Sequence, residues 1–328
     1  MSYRPELDAL RGIAVLLVIG GHLYVPGLLG GGNVGVTLFF VLSGYLITSI
    51  LRENDDLIRF YKRRARRLVP ALIVWLGVMV VAGAVTLWEA LPPLLYAANW
   101  TAATGNLAAP LWHTWSLAVE EQFYLMWPVV LLVARRPVWL VIAFIVGTSA
   151  ASFVASPHTL VGEFGRFGPL AWGCLLGIGV VPRLPRLVVV AAVGLIAYLV
   201  LFPPPGPEWA NRIGPLLSAA TFAVMAVLLR RETGPLAIRP LMGVGRISYG
   251  LYLWHYPFAL LIWPRLFDGQ DRIGDLAWTL VAIGASFACA TLSWFLVERR
   301  FLAPRPADPN LVRPSHGAPA PASALAAS

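Results

Sequence analysis

Ten apolar runs, each near the length a helix needs to cross a bilayer, constrain this chain more than any other feature. A helix rises about 1.5 Å per residue and the hydrocarbon core is about 30 Å thick, so roughly 17 to 25 apolar residues make one crossing. The runs fall near 10–29, 34–51, 68–88, 117–134, 138–155, 167–181, 187–202, 213–229, 244–267 and 276–301, the sixth and seventh being short. Of the 328 residues 58% are hydrophobic and 12% charged, against about a quarter charged in a soluble domain. The expected fold is therefore all-α: a polytopic bundle of about ten transmembrane helices over 1–302. A tail at 303–328, rich in Ala, Pro and Ser, is expected to be disordered.

Basic residues set the expected orientation, because Lys and Arg collect in short cytoplasmic loops. With the N-terminus cytoplasmic and ten crossings, only Arg166, Arg212, Arg265 and Arg272 of the 25 basic residues fall outside. Both termini are then expected to be cytoplasmic, and Lys62 as the one lysine beside 24 arginines suggests a GC-rich bacterial genome, so the expected location is a bacterial cytoplasmic membrane. Topology accounts for the net charge of +9, so no nucleic-acid partner is called for. Cys174 and Cys289 each lie inside a run, which indicates neither a disulfide framework nor a metal site.

Ionisable residues inside such runs are costly, on the order of 3 kcal/mol for Arg at a helix centre, and they usually mark function. Arg11 and His22 stand eleven residues apart in the first run, close to three turns, so they share a face about 16 Å apart along the axis. The arginine would sit near one surface and the histidine deep in the bilayer. A neutral imidazole there can take a proton from a hydroxyl, which is worth ~10² to 10⁴ in rate; taken alone, a histidine in a span is more often a structural hydrogen-bonding partner, and the shared face with Arg11 and the motifs below reverse that. Asp8, three residues before Arg11, is placed to pair with it if the helix starts early enough.

The densest basic cluster, Phe60 to Pro70, lies at the cytoplasmic mouth between the second and third spans. Arg64 and Arg67, three apart, would face one way on a helix and could grip phosphates or lipid headgroups; Arg63 and Arg66 have the same spacing. On the opposite side, residues 113–124 enter the fourth run with His113, Trp115, Ser116, Glu120, Glu121 and Tyr124. Helix capping explains part of that pattern but not two carboxylates entering a span. Adjacent residues point about 100° apart, so one glutamate is expected to face the interior, with Tyr124 beside Glu120. Arg166 opens the sixth run, and His255 falls near mid-membrane in the ninth. Ser43 is either a nucleophile or a small packing residue. Gly173 and Gly177 form a small-x-x-x-small pair suited to a helix contact.

Taken together, the Arg-x10-His of Arg11 to His22, the segment 39–47 around Ser43-Gly44-Tyr45, the Arg64 and Arg67 pair before Pro70, Trp115-Ser116-Leu117 with Glu120-Glu121-Gln122-Phe123-Tyr124, and Ser248-Tyr249-Gly250 through His255 closely resemble the acyltransferase 3 family of membrane O-acyltransferases. The resemblance covers roughly 3–302. It implies a bundle of about ten helices that transfers an acyl group, most often acetyl, from cytoplasmic acyl-CoA to a hydroxyl of a sugar, polysaccharide, glycolipid or natural product. No cofactor would be bound permanently; acyl-CoA is the donor substrate. His22 would be the catalytic base, with Arg11 on its helix and Glu120 or Glu121 orienting the imidazole or the acceptor. Arg64 and Arg67, the pair in phase with Pro70, would hold the CoA phosphates. His113, Trp115, Ser116, Tyr124, Arg166 and His255 would bind substrate. A thioester would run along the helix face from Arg11 to His22 through one open passage. The rival reading is a secondary transporter using the intramembrane His, Arg and Glu to carry protons or substrate.

Overall fold

The structure is a computed structural model that describes residues 4–53, 56–133, 137–155, 159–205, 209–230, 238–267 and 272–302. Among them the elements are all helical. In chain order they are α1 (Pro5–His22), α2 (Gly31–Glu53), α3 (Leu57–Val81), α4 (Leu87–Leu94), α5 (Ala98–Ala103), a 3₁₀ turn (Ala109–Thr114), α6 (Trp115–Val133), α7 (Pro137–Val154) and α8 (Leu160–Gly165). There follow α9 (Gly168–Gly177), α10 (Arg186–Leu201), α11 (Trp209–Leu229), α12 (Arg239–Arg246), α13 (Ser248–Phe267), α14 (Arg272–Ser293), a π-helical turn (Trp294–Glu298) and α15 (Arg299–Leu302). The tail at 303–328 lies outside the described residues.

Each of the ten apolar runs contains a helix, as an all-α membrane bundle requires. Among the described residues five segments are long and apolar enough to cross a membrane unaided: Gly31–Glu53, Ala109–Val133, Pro137–Val154, Arg212–Leu229 and Leu276–Leu302. The sixth run yields only the ten residues of α9, about 15 Å, too short to cross alone. Val81, Leu132, Val154 and Leu187 are each more than half exposed, so the outside of the bundle is apolar in the way lipid, not water, demands.

Several boundaries differ from the sequence reading. The third run was expected to reach residue 88, but α3 ends at Val81, where Gly83 takes left-handed backbone. The first run was expected to be helical to residue 29; α1 instead starts at Pro5 and ends at His22. Tyr24 and Gly27 both take left-handed backbone, with Pro26 between them, and that combination cannot continue a helix. Beginning at Pro5 also places Asp8 inside the helix, where it pairs with Arg11. The basic cluster lies on α3 rather than ahead of it: Asp56 caps the helix by accepting from the Arg59 amide at 2.9 Å. The ninth run breaks at Ile247 between α12 and α13, and the tenth passes through the π-helical turn, which carries Glu298 to a fully buried position.

The centre of the bundle is α2, packed between α1 and α9, while α1 also lies against α12 and α13, and α13 against α14. The approach of α2 to α9 requires glycine. A Cβ on Gly173 would strike the Val41 carbonyl oxygen, and one on Gly177 would strike the Thr48 side chain. The pair read from sequence as a helix contact is one. This close packing fixes α2 as a common wall for two cavities.

Candidate active site

The first cavity, about 190 Å³, lies between α1, α2, α3, α6 and α13, with Arg11, Ser43, Arg64, Arg67, Glu120, Glu121 and Tyr124 in its walls. Successive turns of α3 direct Arg64 and Arg67 inward and leave Arg63 and Arg66 exposed, which resolves the two registers open in the sequence. Arg64 is fully engaged. Its Nε donates to both oxygens of Glu121, at 2.8 and 3.0 Å, and its Nη2 donates to Glu120 Oε1 at 3.2 Å. The guanidinium also lies 3.3 Å above the Tyr124 ring centroid.

Glu120 Oε1 further accepts from Ser43 Oγ at 2.6 Å and from the Tyr124 hydroxyl at 3.0 Å. Tyr124 thus stands where the i, i+4 spacing put it. Ser43, which sequence left between nucleophile and packing, has its hydroxyl committed to Glu120. Both glutamates face this cavity rather than one, because the planar fork of a single arginine spans the two carboxylates. They were expected beside His22; Arg64 holds them at the other end of the site.

Arg11 donates to Asp8 Oδ1 at 2.9 Å, the pair the i, i+3 spacing suggested. Arg67 differs from its neighbours: its guanidinium has no hydrogen bond or ion pair among the described residues, and it faces the like charges of Arg11 and Arg64. A guanidinium in that position is an anion receptor waiting for a counter-charge.

The imidazoles form a second group. His22 Nδ1 lies 2.9 Å from His255 Nε2, with the rings stacked at 5.1 Å. The hydrogen-bond chain assigns the tautomers. His255 Nδ1 meets the carbonyl oxygens of Tyr252 at 2.8 Å and Leu251 at 3.1 Å, so it carries the proton and donates. Its Nε2 is then the acceptor, His22 Nδ1 is the donor, and the basic lone pair of His22 sits on Nε2. That nitrogen is 3.8 Å from where a Cβ on Gly32 would stand, at the start of α2. His22 closes its helix, yet it lies against the eighth residue of α13 and so remains well inside the bundle.

His113 is buried at 2% exposure, stacked on Tyr256 at 4.7 Å and edge-on to His255 at 5.5 Å, and neither ring nitrogen has a hydrogen-bond partner among the described residues. Its carbonyl accepts from the Tyr252 hydroxyl at 2.8 Å, and that hydroxyl lies 2.5 Å from Ser116 Oγ. Tyr252, Ser116 and Phe39 end the first cavity, and His22 is not among its walls. The continuous passage expected from Arg11 to His22 is therefore closed here by aromatic side chains of α2 and α13.

The second cavity, about 280 Å³, lies on the other side of α2 between α6, α7, α9 and α11, and meets the first at Val36 and Phe40. Arg166 and Trp115 are here, the guanidinium 4.0 Å above the indole and 2.8 Å from the fully buried Glu163. Burial raises the pKa of the Glu163 carboxyl and lowers that of Arg166, and the ion pair opposes both shifts. The residues expected to bind substrate therefore separate three ways: Ser116 and Tyr124 on the first cavity, Trp115 and Arg166 on the second, and His113 and His255 on neither, packed against Tyr252 and Tyr256. Sequence reasoning missed Tyr252 as the divider, and Glu298, buried beside Gly250 and accepting from Ser293 Oγ at 3.1 Å.

Comparison with known proteins follows the same direction. A family model described as an acyltransferase domain matches residues 4–297. The peptidoglycan O-acetyltransferase OatA of Listeria monocytogenes is 31% identical over 90% of this chain and 55% of its own. The O-acetyltransferase OatA of Staphylococcus aureus is 32% identical over 82% of this chain and 52% of its own. The chain thus spans about half the length of these relatives. No solved structure matches it.

Proposed function

The chain belongs to the acyltransferase 3 family, and on that premise we propose that it is a membrane O-acyltransferase moving an acyl group, acetyl first, from acyl-CoA to a hydroxyl of a carbohydrate, glycolipid or natural product. The names of both relatives support the O-acetyl chemistry, and peptidoglycan in one of them supports a carbohydrate acceptor. The observation that carries the reading is the His22–His255 pair, whose hydrogen bonds leave a basic nitrogen on the helix that also carries Arg11 into the arginine cavity.

In this reading the first cavity opens to the cytoplasm, both termini lie on that side, and Arg67 with Arg11 receives the CoA phosphates. Arg64 braces Glu120, Glu121 and Tyr124 around them. The thioester arm passes Phe39 and displaces the Tyr252 ring from Ser116 to reach His22. His22 Nε2 takes the acceptor's hydroxyl proton as that oxygen bonds to the thioester carbonyl carbon. The carbon–sulfur bond then breaks, and the imidazolium returns its proton to the leaving thiolate, giving an O-acyl ester, free CoA and neutral His22. His255 holds the tautomer throughout.

Labelled acetyl-CoA supplied to membranes carrying the protein, with hydroxyl acceptors present, tests the donor side. Arg67→Ala should raise the KM for acetyl-CoA at least tenfold while leaving the acceptor KM within about twofold. Equal loss toward both substrates would contradict the assignment.

A further inference from the structure

The second cavity has a chemistry of its own. It shares with the first only Val36 and Phe40, and its remaining walls carry no excess charge: the single guanidinium, Arg166, is cancelled by Glu163 at 2.8 Å. Beyond Glu163, that guanidinium meets no acceptor among the described residues, so it offers hydrogen bonds without net charge. The first cavity, with Arg67 unpaired, suits an anion. The second suits a neutral polar molecule.

Its lining narrows the class. Trp112, Trp115 and Trp172 supply indoles from three separate elements. Thr37 and Ser218 spend their hydroxyl protons on carbonyls of their own helices, Asn33 at 2.9 Å and Gly214 at 2.6 Å, which leaves their oxygens as acceptors. The side chains of Asn33 and Ser149 have no hydrogen bond among the described residues and are free to donate. Apolar aromatic surface interleaved with hydroxyls and amides matches a saturated ring whose faces are C–H and whose edge is O–H. An acyl chain would leave these polar groups unpaired, at a cost in affinity.

Position gives the role. Gly32, where an added Cβ would stand 3.8 Å from His22 Nε2, is followed by Asn33 and one turn later by Val36, both in this cavity's wall, so the cavity begins one residue along α2 from the basic nitrogen, with His22 itself outside the lining. We propose that the cavity beside Trp115 and Arg166 is the acceptor site, and that it takes a neutral, hydroxyl-rich ring of the pyranoside class. The role as acceptor site rests on the acyl-transfer reading above; the ligand class rests on the lining alone.

Full-length protein in nanodiscs, titrated by ligand-observed NMR, tests it with three probes: a neutral β-1,4-linked N-acetylglucosamine trimer, a uronate-containing trimer, and acetyl-CoA. Two variants alter the cavity. Arg166→Gln removes the charge, and Gly214→Leu adds bulk where an added Cβ meets nothing within 4 Å, so the second variant should keep the fold where the first loses the Glu163 ion pair. The expected result is that wild type binds the neutral trimer at least tenfold more tightly than the uronate. Gly214→Leu should weaken the neutral trimer at least tenfold with acetyl-CoA affinity within twofold, and Arg67→Ala should show the reverse. Absence of neutral-trimer binding by wild type, an unchanged affinity in Gly214→Leu, or an equal loss in Arg67→Ala would overturn the proposal. Failure of the acyl-transfer reading looks different: the trimer affinities split as expected, but acetyl-CoA neither binds nor acylates the trimer.

Discussion

Two arginines one helical turn apart on α3 are chemically unalike. Arg64 ties two carboxylates and an aromatic ring together, whereas Arg67 has like charges nearby and no ion pair among the described residues. Removing Arg64 strands two mostly buried carboxylates, so Arg64→Ala should cost about 2–3 kcal/mol of stability after allowing for partial exposure, read by thermal or denaturant unfolding in detergent. Arg67→Ala should not lower stability in the same measurement, because it relieves repulsion. His255 acts through His22, and its test is rescue. His255→Gln, whose amide oxygen can accept the His22 proton, should keep more kcat than His255→Ala at unchanged donor KM. If both lose kcat equally, or neither does, the tautomer assignment is wrong. At this scale the sequence exposed pairs that follow helix periodicity, Asp8 with Arg11 and Glu120 with Tyr124. It concealed His22 with His255 and Ser43 with Glu120, because partners 233 and 77 residues apart meet only through tertiary packing.

Among the helices, the length of each apolar run located the helix it contains but not that helix's ends, where local backbone decides. The left-handed turn at Tyr24 and Gly27 shortens α1 and brings His22 to its last residue, and the π-helical turn rotates Glu298 inward; neither leaves a mark in hydropathy. Small residues were more informative, since Gly173 and Gly177 do set the α2–α9 contact that holds Ser43 in place. Gly173→Ala should therefore destabilise by about 1–3 kcal/mol through overpacking. Gly194→Ala, on the open face of α10, should leave stability unchanged or raise it by up to about 1 kcal/mol. The same unfolding measurement reports both, and equal effects would mean that helix propensity rather than close approach governs the glycines.

Over the whole molecule, α2 divides an arginine-lined cavity from a tryptophan- and hydroxyl-lined one, and the imidazole pair lines neither. Composition made the membrane bundle legible, and motif order made the family legible. The closure by Phe39 and Tyr252 was not, because it depends on side chains from separate helices converging at one depth. On the proposed reading His22 is the base for acyl transfer between two substrates that arrive from opposite sides of this wall. Single-turnover transfer from labelled acetyl-CoA to a hydroxyl acceptor in proteoliposomes, wild type against His22→Ala, isolates that step. His22→Ala should slow transfer by ~10² to 10⁴ with acetyl-CoA affinity preserved. Transfer by the variant at the wild-type rate would remove His22 from the chemistry.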